Sequence, residues 1–216
     1  MAVTGLAKGA VTTGYSYPVV ALYAQNGGTV TYSSGMDLAR GVSIEPNIET
    51  ANDDNTFYAN NAAAEEGQRR FRRGDLTLTV DGLLRTAENL ILGISGTRNV
   101  TVQSGTVVAM TDYGDSQNIP YCGFGCVVRR QSAGVVFYQA HIYPKVRFAS
   151  FAPGAATEED QIDWQTQELN ATLMRDDTTA HNWQSISEPL ATELEAYNAV
   201  RVSLGLTAAA ALPGNA

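Results

Sequence analysis

The sequence predicts a mainly β protein, built as a two-sheet sandwich or barrel-like fold with one flanking α-helix and a second helix near the C-terminus. Three observations carry that expectation. Apolar and polar residues alternate over many short stretches, the periodicity of a half-buried strand. Clusters of Gly, Asn, Asp and Ser punctuate those stretches. Only two stretches carry helical spacing, and many strands with few helices make a sandwich or barrel.

The longest alternation lies between Val135 and Arg175, and the chain is organised around it. In its first run Val136, Tyr138, Ala140, Ile142, Val146 and Phe148 share one parity, while Gln139, His141, Tyr143, Lys145 and Arg147 take the other. A long ribbon with one buried and one wet face is expected. An acidic loop follows, with Glu158, Glu159 and Asp160, and then a second run from Ile162 to Arg175. Its apolar parity changes from Ile162 and Trp164 to Leu169, Ala171 and Leu173, predicting a bulge or a strand that leaves one packing surface for another.

The other elements follow in chain order. Met1 to Ser16 is rich in Gly, Thr and Ala without a period and reads as an arm. Tyr17 to Tyr23 and Thr29 to Tyr32 are strands joined by Asn26-Gly-Gly, a strong hairpin signal. Ser33 to Asp37 reads as a turn. Val42, Ile44 and Ile48 define a further strand with one exposed face. From Thr50 to Gly74 the chain turns polar, and a loop of that length inside a compact domain is usually functional. Asp53 and Asp54 make its first half acidic; Arg69, Arg70, Arg72 and Arg73 make its second half basic. Such arginines pair with carboxylates, nearby or on a neighbouring subunit, or form a nucleic-acid patch.

Leu76, Leu78 and Val80 point one way on the next strand. Leu83, Ala87, Leu90 and Ile91 then mark a short amphipathic helix, with Asp81 as its expected N-cap and Gly93 at its C-terminus. Strands are expected at Asn99 to Gln103, Thr106 to Met110 and Tyr121 to Arg130. Asp176 to Thr179 reads as a turn, and Trp183 as the end or anchor of the sheet. Ser187 is the expected cap of a last helix carrying Leu190, Leu194, Tyr197 and Leu204, closed by Gly205.

Composition bounds the function. At 216 residues the chain suits one domain with a solid core. Fourteen basic against twenty-two acidic residues give a formal charge of −8, against general affinity for nucleic acid or anionic membrane. No long apolar run and no secretion signal stand out, so the protein is expected to be made and kept in a cytoplasm or released by another route. Cys122 and Cys126 share a strand face about 13 Å apart, too far to pair, and read as buried thiols with a metal or redox role as the alternative.

The search for chemistry is mostly negative. His141 reads as a solvated strand histidine and His181 as a loop histidine. Gly123-Phe-Gly125 lacks the third glycine of a dinucleotide fingerprint, and Asp53-Asp54-Asn55 lacks the glycine and distant glutamate of a calcium loop. No catalytic residue, cofactor or metal is expected.

Several motifs in order do point somewhere. These are Tyr17-Pro-Val-Val-Ala with Gly27-Gly-Thr-Val-Thr-Tyr; Ile48-Glu-Thr with Asn55-Thr-Phe-Tyr-Ala-Asn-Asn-Ala-Ala-Ala-Glu; Gly74-Asp-Leu-Thr-Leu-Thr-Val-Asp-Gly-Leu leading into Leu90-Ile-Leu-Gly; and Tyr138 to Phe148 with Ile162 to Thr172. Over roughly Tyr17 to Trp183 the chain resembles the major tail proteins, or tail tube proteins, of long-tailed, non-contractile bacteriophages. The Arg69 to Arg73 cluster and the C-terminal helix have no counterpart in that resemblance.

The resemblance implies a structural virion protein, not an enzyme, made in the host cytoplasm and placed in the tail. Hexameric rings would stack into a tube that passes genomic DNA without specific binding. Partners would be further copies of the chain and the tape measure, tail terminator and distal tail proteins. The chain would divide into an arm (1–16), a tail tube β domain (17–186) with an inter-subunit loop at 50–74, and a C-terminal helix and tail (187–216). Asp53, Asp54, Phe57, Tyr58, Arg69, Arg70, Phe71, Arg72 and Arg73 are the expected subunit interface. The alternative is a carbohydrate- or receptor-binding β-sandwich with exposed Tyr and Trp as a stacking platform.

Overall fold

A computed structural model describes residues 9–50, 57–60, 62–65, 70–114, 117–151 and 165–214, with 57–59 and 62–65 as backbone. The strands are β1 (Val11–Asn26), β2 (Thr29–Asp37), β3 (Gly41–Thr50), β4 (Phe57–Ala59), β5 (Ala62–Glu65), β6 (Phe71–Val80), β7 (Thr97–Thr101), β8 (Val107–Thr111), β9 (Cys122–Ser132), β10 (Val135–Phe148), β11 (Gln167–Met174) and β12 (Ser185–Ile186). The helices are α1 (Arg85–Leu92) and α2 (Glu193–Ser203). The architecture is mainly β and sandwich-like, as expected. One antiparallel sheet runs in the order β2-β1-β9-β10-β11-β6-β3, with β12 paired to β10. Val20 of β1 and Leu76, Leu78 and Val80 of β6 meet in one buried cluster with Phe124, Leu169, Leu173 and the α1 residues Ala87 and Ile91. Strands far apart in the sheet order share that core, so the sheet curls around it and α1 closes it.

The opposite face of β1, β9 and β10 carries a second core. Val19, Ala21, Val127 and Ala140 pack there against Ala196, Tyr197, Val200 and Leu204 of the α2 region. Consecutive residues of β1 thus serve different cores, because strand side chains alternate between faces. This corrects the expectation of a ribbon with a wet face: Phe137, Gln139 and Tyr143 are buried, as are Ala140, Val146 and Phe148.

Thr192, not Ser187, caps α2. Its hydroxyl accepts from the Glu195 backbone N–H at 3.2 Å, and the Glu195 carboxylate accepts from the Thr192 N–H at 3.3 Å, a reciprocal capping box. Ser187 instead accepts the Ala140 N–H through its Oγ, holding the chain against β10. Gly205 follows with φ of 74°, as a C-terminal glycine requires. Leu206, Ala209 and Leu212 of the tail lie on the second core, and Asn198 and Ala209 exchange two hydrogen bonds. The C-terminal region is therefore packed on the sheet.

Other boundaries also move. Val11 to Ser16, expected as arm, pairs with β9 from Gln131 to Val127. Ser33 to Asp37, expected as a turn, continues β2; Gly27 and Gly28, at φ of 56° and 84°, make the real turn. In β3 the register slips between Gly41 and Ser43, and Val42 points to water. Asp81 does not cap α1, whose cap position is Leu84 without a side-chain bond. Its carboxylate instead takes the Arg40 backbone N–H and the Arg40 guanidinium. Gly93 does close α1, at φ of 64° and ψ of 33°.

The β10–β11 hairpin is shorter than its sequence implies. Lys145 to Phe148 pair with Met174 to Ala171, and β11 then runs along β6 from Leu173↔Gly74 to Gln167↔Val80. Residues 152–164, with Ile162 and Trp164, lie outside the described part. Cys122 and Cys126 are free, buried thiols of the first core, and burial pushes Cys122 up to about 12.

Gly123 and Gly125 let α2 and Tyr32 approach β9. A Cβ on Gly125 would lie 2.6 Å from Val200 Cγ1, and one on Gly123 would lie 2.4 Å from Tyr32 Cε1. Gly125→Ala should lower unfolding free energy by about 1–3 kcal/mol through overpacking. Val200→Ala in the same chain should recover part of that loss; additive costs in urea denaturation would show that the two side chains do not compete for this space.

Candidate functional site

Where the polar 50–74 stretch is described, it is mostly strand. Its base is zipped by β3 and β6, from Gly41↔Val80 to Thr50↔Phe71, and β4 and β5 pair beyond it. Phe57 and Tyr58 sit on β4, opposite Glu65 and Ala63. Asp53, Asp54 and Arg69 fall outside the described residues. Arg73 sends two N–H groups to Glu49 at 2.9 and 3.2 Å, and this bond holds the Glu49 carboxyl below its usual range. Phe71 stacks flat on Trp183 at 5.1 Å between centroids, so Trp183 is anchored to the sheet at the start of β6. Arg70 and Arg72 are exposed and make no ion pair with a described residue.

The opposite end of β6 opens into a cleft of about 800 Å³. Tyr17 and Leu84 give it apolar wall; Asp37, Asp81 and Glu193 bring carboxylates, against Arg40 as the cation. Each carboxylate has an internal partner. Tyr197 donates to Asp37 at 2.7 Å, Ser16 donates to Glu193 at 2.7 Å, and Arg40 pairs with Asp81. These residues come from four separate segments, around Tyr17, Asp37, Asp81 and Glu193, with no spacing between the segments that marks a site.

A second cluster gathers at the β1–β10 crossing. Lys145 binds Asp177 at 2.7 Å and lies over the rings of Tyr121 and Tyr23 at 4.7 and 5.2 Å. Tyr23 also donates to Asp177 at 2.7 Å. The Lys145 bond, then the Tyr23 bond, hold the Asp177 carboxyl low. These contacts tie the Asp176 turn to the sheet. Of the tyrosines and tryptophans among the described residues, Tyr143 and Tyr197 are buried, while Tyr113 and Tyr121 are more than a third exposed. Among the described residues the β7–β8 hairpin pairs only with itself, and it exposes Val107, Val108 and Met110.

His141 departs from its expected solvated state. It lies opposite Cys126 on the inward face of β10, and its Nε2 is buried without a protein partner. Burial first, and the Arg130 charge second, depress it to about 4. The described helices include none long and apolar enough to cross a membrane. Neither a protein-family model nor a curated protein matches the sequence.

The His141 environment makes stability depend on acid. An unfolded chain takes up this proton near pH 6.5, while the folded chain refuses it until about pH 4, so stability falls as pH drops through that window. Discounted for partial exposure, the loss should be about 2 kcal/mol between the two values. His141→Gln should flatten that part of a denaturation-versus-pH curve. An unchanged slope would assign it to other groups.

Proposed function

We propose that this chain is a tail tube subunit of a long-tailed, non-contractile bacteriophage. Copies form hexameric rings, and the rings stack into the hollow tube through which the genome leaves the virion. The observation that carries the reading is the unfinished sheet: among the described residues, β2 and β3 each have a strand neighbour on one side only. Free edges are a liability in a monomer and are relieved when strands of neighbouring copies pair. Pro46 withholds one donor from the β3 edge, which restricts pairing there to short segments.

The outer face of β11, β6 and β3 supports the reading further. It presents Glu168, Asn170, Thr77, Thr79, Glu45 and Asp75, a polar surface with a carboxylate excess. Facing a channel, such a wall repels the DNA backbone and leaves the polyanion mobile. No catalysis is needed, because the work is assembly and passage. The β3–β6 ribbon with Phe57, Tyr58 and Arg70 to Arg73 reaches toward neighbouring copies. The tape measure, tail terminator and distal tail proteins would meet the tube's lumen and ends.

Negative-stain electron microscopy of the purified chain over a rising concentration series tests this. Rings and hollow tubes are expected. A uniform monomer at every concentration, with or without added tail-tip proteins, would sink the proposal.

A further inference from the structure

The two charged features described above lie at opposite ends of one strand. Phe71 to Val80 spans about 30 Å at 3.3 Å per residue. Arg70 and Arg72 stand exposed at its start, while Asp81 borders the acidic cleft at its end. A rigid strand keeps the arginines from reaching the cleft of their own chain. Two copies aligned head to tail along β6 can bring them together, and each such pair leaves one ridge and one cleft free, so the contact repeats without closing.

We infer, resting on the tube reading, that Arg70 and Arg72 of one copy seat in the Asp37–Asp81–Glu193 cleft of the copy in the next ring, making this the axial contact of the tube. Arginine fits this cleft: its stem lies along apolar wall such as Tyr17 and Leu84, and its planar guanidinium meets carboxylates bidentately. The carboxylates have capacity left, since the Asp37 and Asp81 side chains are 42% and 33% exposed and each carboxylate offers about four acceptor positions. Arg40 pairs with Asp81 and the Arg201 guanidinium stands 3.7 Å from Asp37, so three carboxylates face two guanidinium groups and the excess falls at Glu193, which accepts from the Ser16 hydroxyl. The charge of the cleft is thus opposite to that of the ridge.

Full-length wild type is compared by electron microscopy and sedimentation velocity with Arg70→Glu/Arg72→Glu, with Gly82→Arg/Leu84→Arg, and with all four changes together. Gly82 has open space where a Cβ would go, and Leu84 is 63% exposed, so the cleft variants are accommodated; circular dichroism checks the fold of each. Wild type should form tubes. Each double variant should form rings with at least about a tenfold loss of stacked length, as expected when a charge-assisted contact becomes repulsive. The fourfold variant, its charges exchanged, should regain tubes. Tubes of wild-type length from the Arg70→Glu/Arg72→Glu variant would overturn the axial contact while leaving the tube reading intact. The same holds for a variant that cannot make even rings. Failure of wild type to assemble would overturn both.

Discussion

Between Tyr143 and Val146, β10 advances three residues while its partner β9 moves two, from Phe124 to Cys122. One extra residue in a strand reverses which face each later side chain meets. Before the bulge Tyr138, Ala140 and Ile142 serve the α2 core and Tyr143 serves the core beneath α1. After it Val146 and Phe148, of the opposite parity, serve that same α1 core. Pro144 sits within the bulge, where its missing N–H breaks no ladder bond, and its carbonyl accepts the Tyr32 hydroxyl at 3.0 Å. The outer edge of β10 changes partner at the same place, from β12 at His141 and Ile142 to β11 from Lys145 onward. The bend therefore lets one sheet carry two cores on opposite faces.

The two-core plan explains what is covered and what is bare. α2 shields one face of β1, β9 and β10, while the outer face of β11, β6 and β3 has no helix over it among the described residues and presents Thr, Asn, Glu and Asp side chains. A strand buried on both faces reads as a near-continuous apolar run, as at Val19, Val20 and Ala21; a half-exposed one alternates, as β11 does at Leu169, Ala171 and Leu173. Close approach of α2 depends on Gly123 and Gly125, which leave a groove for Val200 and Leu204. The Gly-Phe-Gly pattern that looks like part of a nucleotide loop is a packing device.

Alternation made most strands legible, and the Leu76-Leu78-Val80 face, the Asn26-Gly-Gly turn and the Gly93 cap stand where their residues put them; both helices exist but start later than expected, and Leu190 bridges to Tyr138 ahead of α2. The failures share a cause. Parity extrapolated along 135–148 assigns His141 and Tyr143 to water, because a one-residue bulge and a second covering layer leave no local mark. Asp81 and Ser187 have the chemistry of caps but spend it on Arg40 and Ala140, partners distant in sequence. Thr192 with Glu195 has the three-residue spacing of a capping box and is the local mark that does hold. The acidic cleft draws on Tyr17, Asp37, Asp81 and Glu193, and only the curl of the sheet brings these together.

Charge distribution separates what folds the chain from what is left for partners. Arg40, Arg73, Arg98, Lys145 and Arg201 each bind a carboxylate of the same chain. Exposed pairs of this kind add little stability individually, yet they remove those cations from the surface field. What remains is a body of net charge −8 on which Arg85, Arg129, Arg147 and Arg175 are exposed singly, while Arg70 and Arg72 stand two residues apart as a small cationic ridge. Copies of such a body repel at long range, and at 0.1 M salt that repulsion fades beyond roughly 10 Å. A contact within hydrogen-bonding distance is screened far less. Local complementarity can therefore outweigh net like charge only where ridge and cleft meet in register, so electrostatics here opposes random association and favours one orientation.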